Sequence, residues 1–117
     1  MSQAIEGRTK AFTAGAAIGQ WILVKLTAGK LAAAALGEEW LGVLEEASFA
    51  DGDLRSVALR SAEGTIKCVA SGAFAAGAIV YGQAAGKVDD IPTAALRVGM
   101  ALEAATALND IVEVLVC

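Results

Sequence analysis

"LAAAALGEEWLGVLEEA", residues 31–47, is the stretch whose reading decides the fold. Taken alone it reads as a helix, because alanine, leucine and glutamate are strong helix formers. The chain carries a second version of it 57 residues later, "VDDIPTAALRVGMALEA" at 88–104, and there Pro92 stands where a helix would break. Gly42 and Gly99 interrupt the two copies at the same place. If both copies fold alike, one continuous helix is excluded and short strands take its place.

The relation runs through the whole chain. Sliding the sequence on itself by 57 residues without a gap lays residues 1–60 on 58–117 and gives fifteen identities. They include Lys10 with Lys67, Gly15-Ala16 with Gly72-Ala73, Ile22 with Ile79, Ala28-Gly29-Lys30 with Ala85-Gly86-Lys87, Asp53 with Asp110 and Val57 with Val114. Matches spread from end to end are the mark of an architectural repeat. The flanking segments read as strands directly. In "DIVEVLV" (110–116) Val112, Val114 and Val116 share one face, and in "DLRSVALR" (53–60) Val57 and Leu59 fall on the matching one. "QWILVKL" (20–26) alternates in the same way. "ADGD" (50–53), "LNDI" (108–111), "TAGK" and "AAGK" supply the residues of tight turns between them.

The expectation is an all-β chain with little helix, a small β-barrel or sandwich built from an internal duplication of about 57 residues, with about five strands per copy. Residues 1–12 read as an N-terminal arm. Residues 13–117 read as a single β domain of two similar halves, about 1–60 and 61–117.

Composition narrows the function. Apolar residues make up 56% of the chain and charged ones 19%, which places it among packed domains. The net charge is −4 and the basic residues are scattered, so no basic stripe for a nucleic-acid backbone exists and no nucleic-acid partner is expected. Two apolar stretches resemble targeting signals: residues 11–24 after Arg8 and Lys10, and the uncharged residues 68–86. Met1 opens the chain ahead of the first, and glycines, Ser71 and Gln83 dilute the second, so no membrane partner is expected. Cys68 and Cys117 have no CxxC spacing and read as ordinary thiols, Cys68 as a small buried residue.

No enzyme is expected. Histidine is absent, which removes the commonest general base and metal ligand, and no Ser-His pair or glycine-rich nucleotide loop is present. "DGD" (51–53) lacks the ligand spacing of a calcium loop, and adjacent carboxylates on a strand point to opposite faces. Catalytic, cofactor-binding and metal sites are therefore all expected to be none. Lys30 and Lys87 invite comparison with a lipoyl-type carrier domain, which also has two similar halves. Such domains display one lysine and this chain has two, so both read as turn lysines. A small non-catalytic binding or carrier module of that type remains the alternative reading. Trp21 and Trp40, whose 57-residue counterparts are Ala78 and Arg97, read as anchors of an asymmetric interface. With Arg8, Lys10 and Phe12 they make the candidate interface set.

Three stretches carry a family resemblance: "GEEWLGVLEEASFADGDLRSVALRS" (37–61), "FAAGAIVYGQAAGKVDD" (74–90) and "LRVGMALEAATALNDIVEVLV" (96–116). In order and spacing they resemble the small head decoration, or capsid cement, proteins of tailed phages, over about residues 14–116. The resemblance implies a β-rich structural virion protein without catalytic residues or cofactors. Such a protein is made in the host cytoplasm, binds the major capsid protein on the outside of an icosahedral head, and associates with itself as a homotrimer.

Overall fold

The computed structural model describes residues 9–60 and 65–116. Ten strands account for nearly all of its regular structure: β1 Thr9–Thr13, β2 Leu23–Thr27, β3 Lys30–Ala33, β4 Gly42–Leu44, β5 Leu54–Leu59, β6 Thr65–Val69, β7 Ile79–Gly82, β8 Val88–Asp89, β9 Arg97–Ala101 and β10 Ile111–Val116. A single 3₁₀ turn at Ala84–Gly86 is the helical content among the described residues. Residues 31–47, helical by propensity, instead form β3, a loop and β4. Tertiary pairing overrides local preference there.

The strands make two five-stranded antiparallel sheets, ordered β1-β5-β4-β2-β3 and β6-β10-β9-β7-β8. Adding five to each label of the first order gives the second. Each sheet curls until its outer strands meet, through a parallel bridge between Ala14 and Leu31 in the first and between Ala70 and Val88 in the second. Closure of this kind pairs the outer strands that a flat sheet would leave open.

The correspondence reaches single backbone groups. Ile18 and Ser48 exchange N–H···O bonds at 3.1 and 2.9 Å, as Phe74 and Ala105 do at 3.0 and 2.9 Å. The Asp53 carboxylate accepts from the Phe49 and Ala50 N–H groups, and that of Asp110 accepts from those of Thr106 and Ala107. Positive φ angles also come in pairs: Trp21 with Gly77, Ala28 with Ala85, Gly29 with Gly86, Gly37 with Ala94, and Gly52 with Asn109.

These pairs correct the gapless alignment. From residue 28 onward equivalent positions are 57 apart, but from Thr9 to Thr27 they are 56 apart. The extra residue of the second half is Ala84, taken up where the Thr27–Lys30 turn widens into the 3₁₀ turn. Trp21 therefore corresponds to Gly77, not Ala78. Sequence identity had no power to detect the slip. Over residues 9–27 an offset of 57 gives four matches (Lys10, Gly15, Ala16, Ile22), and an offset of 56 also gives four (Thr9, Ala14, Ala17, Val24).

Small side chains fill the interior. Ala14, Ile18, Ile22, Val24, Leu31, Leu44 and Val57 form the core of the first half. Their equivalents Ala70, Phe74, Ala78, Val80, Val88, Ala101 and Val114 belong to, or pack against, a second cluster that spans the junction and takes in Leu23, Trp40 and Val43 from the first half. One face of the first sheet thus lines its own core while the other packs on the second half. Gly42 and Gly99 permit the close strand crossings this needs: an added Cβ would overlap the carbonyl oxygen of Ala58 or Leu115 respectively. The halves do not meet through equivalent contacts. A Cβ built on Gly86 would lie 2.6 Å from the Leu23 carbonyl oxygen, whereas one on Gly29 meets nothing within 4 Å.

Candidate interaction surface

Strand β2 runs on past the end of its pairing with β4. It pairs with β3 through Thr27, but with β4 only at Leu23↔Val43 and Val24↔Gly42. The Leu41 N–H still donates to the Val24 carbonyl at 2.7 Å, but Glu38–Trp40 make no backbone bond to β2 among the described residues, and a cleft of about 540 Å³ lies there, lined by Lys25, Leu26, Glu38, Glu39, Trp40 and Leu41. In the second half the same place is shut, since the Gly82 N–H donates to the Leu96 carbonyl at 2.9 Å.

Charged groups around the cleft pair with one another. Lys25 Nζ donates to Glu38 Oε1 at 2.6 Å, and Arg60 Nη1 donates to Glu39 Oε1 at 2.7 Å. The Lys25 ammonium and the Ala35 N–H, both donating to it, hold the Glu38 carboxyl below its usual pKa. Arg60 also lies over the Trp40 ring, 4.7 Å from its centroid. Trp40 itself is buried, and its Nε1–H finds no acceptor among the described residues.

The candidate interface residues do not gather in one patch. Arg8 lies outside the described residues. Lys10 is exposed on β1, and Phe12, half-buried on the same strand, packs on the first-half core. Trp21 and Trp40 sit at the junction of the halves, Trp21 half-buried with Lys67 Nζ 5.3 Å from its ring centroid. Each tryptophan stands where the other half has a glycine or an arginine because the junction is packed from one side only. Lys25, Leu26 and Leu41 escaped the sequence reading. A cleft made by a strand outrunning its neighbour leaves no local pattern.

Lys30 Nζ donates to Asp51 Oδ1 at 2.8 Å, joining the Thr27–Lys30 turn to the turn at 50–53. Cys68 is fully buried, and desolvation pushes its thiol pKa up to about 12, far from a reactive thiolate. Among the described residues no group of three or more Cys, Asp or Glu side chains is placed to hold a metal ion, and no helix is long and apolar enough to cross a membrane.

No family model matches the sequence, and no curated protein matches it. The fold, however, is similar to a solved one. The crystal structure of the head fiber gp8.5 N base in bacteriophage phi29 superposes with a TM-score of 0.76 over 93% of this chain and 92% of that one, at 17% sequence identity. What this chain shares with that head fiber base, at such an identity, is the complete two-sheet β fold.

Proposed function

We propose that this chain is a structural protein of a phage particle that attaches to the outside of the head and stabilises it as decoration. The observation that carries the reading is the likeness to a phage head fiber base over nearly the whole of both chains. The resemblance of residues 37–61, 74–90 and 96–116 to decoration proteins points to the same part of a virion.

The physical mechanism is avidity. A chain of this size offers the shell a modest patch, and three copies joined as a homotrimer bind far more tightly than one, because the second and third contacts form within an already bound complex. Bridging adjacent copies of the major capsid protein then opposes their separation under the pressure of packaged DNA. Arg8 and Lys10, in the polar segment Ser2–Lys10, are the residues assigned to the first contact with the shell, and Phe12, Trp21 and Trp40 support the surfaces behind it.

Co-sedimentation of the purified chain with undecorated heads tests the reading. Saturable binding and a rise in the temperature at which heads release DNA are expected. Deleting residues 2–8 should abolish binding while leaving the near-ultraviolet circular dichroism of the fold unchanged. A full-length chain that stays in the supernatant at every ratio would refute the assignment.

A further inference from the structure

The pairing of β2 with β3 is that of a two-residue hairpin, closed at Thr27↔Lys30, with the Ala34 N–H donating to the Leu23 carbonyl at 2.9 Å. Successive residues of an antiparallel strand turn their main-chain groups alternately to one neighbour and the other. Leu23, Lys25 and Thr27 therefore address β3, and Val24 and Leu26 address the opposite side. Val24 meets a partner there, since its carbonyl accepts from the Leu41 N–H at 2.7 Å. Leu26 meets none among the described residues. In the second half the equivalent N–H, that of Gly82, donates to the Leu96 carbonyl, whose own equivalent is the carbonyl of Glu39. The first half lacks that bond.

Two N–H donors thus come to one cleft without an acceptor among the described residues: the main-chain N–H of Leu26, and the Nε1–H of Trp40, which is buried. The Leu26 carbonyl stands beside them as an acceptor without a donor. Native folds rarely leave such groups unpaired. Charge narrows what could meet them. Lys25 is paired with Glu38 and Arg60 with Glu39, so the four ionised groups of the cleft sum to zero and offer a free ion no unmatched opposite charge. What the cleft lacks is neutral: acceptors for two N–H groups and a donor for one carbonyl. A peptide main chain carries both. The free edge at Lys25–Thr27 is about 10 Å long, enough for a short strand.

We propose that this cleft is a strand-docking site, in which an extended, uncharged segment of the shell protein enters between β2 and Glu38–Trp40, exchanges N–H···O bonds with Leu26 and accepts from Trp40 Nε1. The inference rests on the functional reading and gives the shell its point of attachment. Main-chain pairing supplies the affinity and asks little of the side chains. Small or polar side chains suit the segment best. Arg60 and Glu39 are 41% and 80% exposed, and bulky apolar groups laid over such a pair would strip its water at a cost. The second half has no such place for a strand, because Gly82 already holds the Leu96 carbonyl.

Hydrogen exchange of the full chain, free and bound to undecorated heads, tests the site when read residue by residue by mass spectrometry. In the free chain the Leu26 amide is expected to exchange as an open strand edge does, and the Gly82 amide to be protected. On heads the Leu26 amide is expected to slow by about tenfold or more, with Gly82 unchanged. Leu26→Pro removes an N–H that bonds nothing in this chain, a change that a strand edge tolerates. It is expected to keep the near-ultraviolet circular dichroism of the fold and to weaken head binding about tenfold or more. Replacing the Leu26 amide by an ester deletes the same N–H without fixing φ, and keeps the test valid if the proline variant does not fold. Leu26→Ala, which keeps the main chain, is expected to bind nearly as the wild type does.

A Leu26 amide already protected in the free chain overturns the proposal, because the chain then fills its own cleft. Head binding that leaves Leu26 exchange unchanged overturns it too, as does an ester variant that binds like wild type. In these cases the shell attaches elsewhere and the functional reading stands. Binding lost in Leu26→Ala but kept by the ester variant assigns the contact to the side chain and overturns strand pairing. A wild type that does not bind heads overturns the functional reading, and the docking site falls with it.

Discussion

Leu23→Ala is the substitution that most directly measures how the two halves hold together. Leu23 is 1% exposed, belongs to the core that spans the junction, and reaches across it to Gly82. Truncation removes its transfer free energy and leaves a cavity in the core that spans the junction, so the cost is about 3–4 kcal/mol. For a domain of this size, at about 4 °C per kcal/mol, the melting temperature should fall by roughly 12–16 °C. Ile79→Ala changes the equivalent position of the second half, where the side chain is only half-buried. Its cost should be about 1–2 kcal/mol. Both variants are to be followed by calorimetry and by near-ultraviolet circular dichroism in solution dilute enough to keep the chain monomeric. A single transition is expected, because Leu23, Trp40 and Val43 share one cluster with Val80, Val98 and Val112. Equal costs at the two positions, or separate transitions for the two halves, would refute the one-sided junction.

Acid should weaken the fold through two equivalent groups. Backbone donors at Phe49 and Thr106 lower the Asp53 and Asp110 pKa values below their ordinary 3.8. Their contribution is therefore complete above pH 3.8 and is lost as the pH falls through the folded values. An Asp53→Asn, Asp110→Asn double variant should show a shallower decline in stability over that range, and an unchanged slope would contradict the assignment. Gly42→Ala and Gly99→Ala should each destabilise by about 3 kcal/mol or more in urea unfolding, since the added methyl meets a carbonyl oxygen of the neighbouring strand that cannot move without breaking the ladder. Cys68 should resist thiol reagents in the native state and react only on unfolding; mass spectrometry of the labelled chain in a Cys117→Ser background reads this directly.

The sequence by itself determined the fold class and the repeat. Pro92 forbade the helix that residues 31–47 propose, and the alternating valines at 112, 114 and 116 demanded strands. Those signals are local: a steric clash in one case and period-two burial in the other, both written in consecutive residues. The surface charges and turn lysines were legible for the same reason. Tertiary structure alone decided the register of the first third, because alanine and glycine match themselves at either offset while a backbone hydrogen bond does not. Only tertiary structure opened a cleft beside Trp40, where β2 outruns β4, and it alone buried Leu23 while leaving its equivalent Ile79 half-exposed. Two side chains of the same character, at equivalent positions of one repeated fold, differ only in what lies across from them. That is set by how the halves dock, which no stretch of sequence encodes on its own.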